Sequence, residues 1–216
     1  MNQKKLCSAA LRGLLLAAGM LVAASGISTI TRAGLGTTPI STVPLAFASV
    51  TGATFGTTTF FVNVFFVLLQ WLLLGRRFRF SAFLQIPMVF VYGAFIDLTM
   101  ALLAPFDPQA YAAQLAQSLL GNLVLAAGIV MQLHSRTLMQ PGEALVLALT
   151  VRFQKPFGTL KIANDVVLVC LAALIGIAAT GGLVGIREGT LVSAILVGFS
   201  ARLLLQFWPM PAREAA

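Results

Sequence analysis

The stretch GLGTTPIST, Gly34–Thr42, decides how the chain is read. From Ala33 to Gly75 no residue is charged, as suits a membrane span, yet this stretch interrupts the run with glycines, hydroxyls and a proline. Backbone at membrane depth is tolerated only where protein buries it or a polar cavity hydrates it, because an unpaired N–H or C=O costs several kcal/mol in hydrocarbon. Gly34 and Gly36 permit a tight re-entry, Thr37 and Thr38 supply hydroxyls, and Pro39 opens a helix in its first turn, where the missing N–H costs nothing. MQPGE, Met139–Glu143, repeats the device further along.

The surrounding composition makes this a membrane question. Of 216 residues 59% are hydrophobic and 9% charged, and the mean hydropathy is +0.96. So few charged side chains cannot cover a water-soluble surface. The net charge of +8 comes in small clusters between apolar runs, as in loops flanking spans, with no basic stripe of the kind that binds nucleic acid. Cys7 and Cys170 are too few and too far apart for a disulfide framework or a metal motif. The amino terminus has the charged start and apolar middle of a signal peptide, but LLLAAGMLV at Leu14–Val22 is echoed by LVLAAGIVM at Leu123–Met131. It reads as a retained span, one member of a pair.

That echo belongs to a longer internal repeat. The spacing that carries Pro39 onto Pro141 also carries Phe55-Gly56-Thr57 onto Phe157-Gly158-Thr159. The expected organisation is a first membrane repeat over 1–104, a linker over 105–118 and a second repeat over 119–216, each repeat a long span, a short Pro-led segment and two more long spans. The short segments, PISTVPLAFASV and PGEALVLALTV, give about 18 Å of helix against a hydrocarbon core of about 30 Å. The charges agree. If both segments turn back, Lys4, Lys5, Arg12, Arg76, Arg77, Arg79, Arg136, Arg152 and Lys155 share one side, with Arg32 and Arg187 as exceptions; if both cross, the GRRFR turn faces outside. The fold class predicted is therefore an all-α polytopic membrane protein of six transmembrane helices plus two re-entrant or half-spanning helices, in two repeats of inverted topology. In the alternative reading both prolines start ordinary short spans and the glycines serve close packing.

Polar groups inside the apolar segments are the candidate site residues. Asn63 and Asp165 occupy equivalent repeat positions and, in an inverted repeat, approach each other near the midplane beside the short helices' amino ends. With Thr37, Thr38, Gln140 and Glu143 they form a candidate substrate site. Competing structural roles exist: Lys161 can neutralise Asp165 as an i,i+4 pair, Glu143 can cap its helix, and Asp97 can pair with Arg202 unless that arginine snorkels. One helix end carries Glu143 and the other does not, so the ligand's sign stays open. His134, the single histidine, has no acid placed to orient it, and no phosphate loop, paired-cysteine motif or His-Glu metal spacing occurs. The expectation is no enzyme, no cofactor and no metal.

TRAGLGTTPIST, FGTTTFFVNVFFVLLQWLLLGRRF, FLQIPMVFVYGAFIDL and REGTLVSAILVGF together resemble the YczE/YyaS/YitT family of bacterial integral membrane proteins, closest to its YczE-like branch, over about Arg32 to Phe199. The resemblance implies a multi-spanning protein of the bacterial cytoplasmic membrane, of generally unassigned activity, with a link to secondary-metabolite production in the YczE-like branch. Two functions are carried forward: a transporter or channel for a small polar solute, and a non-transporting scaffold or regulator of a membrane or cytoplasmic protein partner. Both place the chain in the lipid bilayer with cytoplasmic termini, homo-oligomerisation being open.

Overall fold

The computed structural model describes residues 3–209, with side chains from Ala9 onward. The side chains of Lys4, Lys5 and Cys7 lie outside the described residues. The described chain is helical, without strands. The helices are α1 (Gln3–Arg32), α2 (Pro39–Thr51), α3 (Phe55–Leu74), α4 (Gln85–Leu102), α5 (Tyr111–Ser135), α6 (Pro141–Phe153), α7 (Phe157–Thr180) and α8 (Glu188–Phe207), with two short 3-10 turns between α3 and α4. Six of them are long and apolar enough to cross a bilayer, and the protein is a polytopic membrane protein whose helices meet lipid. The Pro-led helices α2 and α6 have 13 residues each, hence about 20 Å of rise.

Local chemistry sets the helix limits. Pro39 and Pro141 open α2 and α6, as the sequence indicates. Gly52 in the left-handed conformation closes α2, and Thr54 accepts from the Thr57 N–H to cap α3. Pro44, inside α2 and buried, removes the donor that the Ile40 carbonyl would otherwise receive.

The bundle has two cores. One joins α1, α4 and α5, with Met20, Ala24, Ile27, Ile30, Val89 and Ile96 among its buried members. The other joins α2, α3, α6 and α7 through Val43, Ala46, Val62, Phe66, Leu145, Leu168 and Ala172. Each Pro-led helix packs on both α3 and α7. The most extensive helix contact is between α1 and α5, and small residues make it so. A Cβ on Gly121 would stand 2.8 Å from the Ile30 nitrogen, and one on Gly26 or Gly128 would collide with Leu125 or Ala23. With no side chain between them the backbones approach closely, the usual basis of helix association in lipid. Ala17-Ala18-Gly19 and Ala126-Ala127-Gly128, the echoed motif, lie in this crossing.

Helix directions follow from which residues meet. Ascending α1 through Gly19, Ala23, Gly26 and Ile30, the neighbours on α5 descend through Gln132, Gly128, Leu125 and Gly121, so α1 and α5 are antiparallel. Ser28 bonds the Thr99 hydroxyl at 2.7 Å, Arg32 donates to the Met100 carbonyl at 2.8 Å, and Met20 shares its cluster with Met88, so α4 runs with α1. Contacts of Gly56 with Asp97, Phe60 with Phe90 and Gln70 with Gln85 set α3 against α4. With α3 opposed to α1, the chain leaves α1 and enters α3 on the same side of the bundle, with α2 between them. At α8, Arg187 donates to the Gly34 carbonyl beside Gln114, and Trp208 stacks on His134 with ring centroids 4.1 Å apart, so α8 runs with α5.

The pairings are unequal in one place. Close contact of Gly56 and Gly93 holds α3 against α4, whereas α7 and α8 scarcely touch. On α7 only Leu168, Ala172 and Gly176 are buried, a single stripe.

Candidate functional site

The amino ends of α2 and α6 meet. The Ile40 side chain fills the space beside Gly142, where a Cβ would collide with it, and the Phe66 ring lies alongside. Each end is delivered by a loop held by hydrogen bonds. Before α2, Gly36 sits at φ +100, a conformation that favours glycine, and a Cβ there would strike Thr190 and the Arg187 nitrogen. The Thr37 N–H donates to the Gly185 carbonyl at 3.0 Å and the Gly189 N–H to the Leu35 carbonyl at 2.9 Å. Three backbone groups of GLGTT, the Gly34 and Leu35 carbonyls and the Thr37 N–H, thus find partners in the α7–α8 connection and the start of α8, which helps glycine-rich chain to be tolerated there.

Glutamines hold the second loop. Gln70 donates to the Pro141 carbonyl and to Gln85, each at 3.2 Å, and Gln140 donates to Gln132 at 3.0 Å. Gln132 in turn donates to the Gly19 carbonyl at 3.3 Å, tying this loop to the α1–α5 crossing. Gln70, Gln85 and Gln132 are buried, and sequence reasoning passed over them. Their signal was a neutral amide in an apolar helix, a common interhelical link.

The candidate residues fall into three groups. Thr37 and Thr38 are buried at the α2 end, Thr37 bonding Thr31 at 3.0 Å and Thr38 donating to Ser41 at 2.9 Å. Glu143 and Asp165 flank Lys161, whose ammonium lies 2.8 Å from Asp165 and 4.0 Å from Glu143. The i,i+4 pair foreseen from the sequence is present. Glu143 makes no side-chain cap, contrary to the capping role considered for it; it stands in the first turn, where the helix amino end favours a carboxylate, and faces Lys161. Two carboxylates around one ammonium leave a formal charge of −1, and Glu143 Oε2 and Asn164 Nδ2 are buried with no hydrogen-bond partner among the described residues. Asn63, the third group, donates to the Thr59 carbonyl of its own helix at 2.8 Å, so no hydrogen bond joins it to Asp165.

Asp97 has a different role from the ion pair expected of it. It accepts from Thr54 at 2.6 Å and from the Gly56 N–H at 2.7 Å, which caps the start of α3, while Arg202 is exposed. A carboxylate finds donors at a helix amino end without any cation. His134 lies against Trp208 at the carboxyl ends of α5 and α8.

Family comparison adds no chemistry to this site. A family model matches residues 10–206. The chain belongs to DUF6198, a family of unknown function. Neither a curated protein nor a solved structure gives a significant match.

Proposed function

We propose that the protein is a transporter or channel for a small polar solute, built as an inverted repeat of residues 1–104 and 119–216 with a site where α2 and α6 meet. The observation that carries this reading is the juxtaposition of the two Pro-led amino ends, Ile40 against Gly142, in the middle of a lipid-facing bundle. Helix amino ends at depth attract anionic or polar groups, and discontinuous helices of this kind line the sites of many secondary transporters. Thr37, Thr38 and Gln140 supply neutral polar contacts; Glu143, Lys161 and Asp165 supply charge; Asn63 lines the α3 side. Ile40 is then the residue that must move for a solute to pass. No catalysis and no cofactor is assigned.

The test is flux of a broad solute panel in proteoliposomes. Asp165→Asn should lower flux of the transported solute at least about ten-fold, the effect of losing about 1.4 kcal/mol of binding, with the helical circular-dichroism signal unchanged. Unchanged flux across the panel rejects the reading. Topology is tested separately: after removal of the native cysteines, Gly52→Cys and Asp107→Cys should be labelled from one face and Arg76→Cys and Gln154→Cys from the other. Labelling of Gly52→Cys together with Arg76→Cys rejects the turn-back of α2.

One observation favours a second reading, a scaffold for a protein partner: α7 and α8 leave most of their apolar surface uncovered. The narrower likeness to the YczE-like branch, with its link to secondary-metabolite production, supports the same reading. Cross-linking from Val167 or Ile195 to a second protein in native membranes, with flux absent, distinguishes it.

A further inference from the structure

A groove of about 490 Å³ opens at the carboxyl end of α3, lined by Trp71, Leu72, Gly75, Arg76, Phe78 and Phe80. Helix α3 ends at Leu74 and the apolar span that contains it at Arg77, and arginines that close a span mark the level where hydrocarbon gives way to headgroups. Its chemistry changes along its length. Buried Phe78, packed edge-on to Phe83 at 5.2 Å, forms the floor. Leu72 and Phe80, 75% and 80% exposed, form walls that water would not tolerate but acyl chains would. Gly75 leaves the groove open, since a Cβ there would meet nothing within 4 Å, and the turn then presents Arg76, Arg77 and Arg79. No acidic side chain pairs with these arginines among the described residues.

We infer that this groove is a binding site for an anionic phospholipid, its phosphate on Arg76 with Arg77 and Arg79 close by, and its acyl chain along Trp71, Leu72 and Phe80. A cation at the rim and a wall of aromatic and aliphatic carbon below it match the two ends of one lipid molecule. A soluble phosphate ester would use only the rim. A zwitterionic lipid carries a compensating ammonium and would gain little from the arginines. The inference is independent of transport, because no residue of the groove belongs to the meeting of α2 and α6.

The two tryptophans of the chain, Trp71 and Trp208, make the test direct. In Trp208→Phe protein, Trp71 alone reports, and bromine on an acyl chain quenches it on contact. In mixed bilayers brominated phosphatidylglycerol should quench at about five-fold lower mole fraction than brominated phosphatidylcholine, as one surface arginine would give. Arg76→Gln should remove the preference, whereas Arg152→Gln, at the end of α6, should keep it. Equal quenching by both lipids overturns the site. So does an equal loss in Arg152→Gln, which would mean a diffuse basic face, or displacement by glycerol 3-phosphate, which would mean a soluble ligand.

Discussion

The α1–α5 crossing and the meeting of α2 with α6 are built in opposite ways. Where α1 crosses α5, glycine removes the side chains, backbones touch, and Ala23, Ala24 and Ile30 are almost completely buried. Where α2 meets α6, Ile40 stands against Gly142, with Val43, Ala46 and Leu145 in one apolar cluster and hydroxyls, amides and a three-member charge cluster on the same two helices and their neighbours. The first arrangement leaves no room for a side chain at Gly26, Gly121 or Gly128, where an added Cβ collides. The second combines an apolar cluster with side-chain hydrogen bonds and one isoleucine whose movement would part the two helix ends.

The comparison breaks most readily at the α1–α5 crossing. Gly26→Val drives a branched side chain into the Leu125 backbone and should cost about 3 kcal/mol, the upper end for overpacking, read as a loss of folded protein in a detergent unfolding titration. A wild-type midpoint would show that the crossing is softer than its geometry. Next in size is Lys161→Met, which leaves Glu143 and Asp165 without their shared cation; about 2 kcal/mol is expected, below the cost of breaking a fully buried pair because the cluster is part-exposed. Partial recovery in Lys161→Met/Asp165→Asn would locate that cost in the stranded carboxylate. Gly56→Ala, whose Cβ would meet the Gly93 carbonyl and the Asp97 carboxylate, should cost about 1.5 kcal/mol through the same overpacking. Thr99→Val removes the 2.7 Å bond to Ser28 and should cost only about 0.6 kcal/mol, the average for an interhelical hydrogen bond in a membrane protein. If Thr99→Val proves worse than Gly26→Val, polar bonds and not close backbones hold the first core.

Much of this architecture was legible in the chain, and the limits of that legibility are physical. Run length and proline placement are local properties, so six long helices and two helices opened by Pro39 and Pro141 could be read from them. The Lys161–Asp165 pair was legible because i,i+4 spacing fixes the geometry within one helix. Asp97 was misjudged because its partners, Thr54 and Gly56, lie on another helix whose register no local pattern encodes. The amide links of Gln70 and Gln132 escaped for the same reason. Asn63 and Asp165 do occupy matching helix positions, yet one turns to its own backbone and the other to a lysine present in only one half.

Helices α7 and α8 are each anchored elsewhere, α7 on α2 and α6 and α8 on α5, and scarcely on one another. Their exposed apolar flanks meet lipid, so the bilayer itself takes part in holding these two helices in place. Extraction into a short-chain detergent would exchange that support for a poorer one, and the carboxyl-terminal half should be the first part of the molecule to loosen.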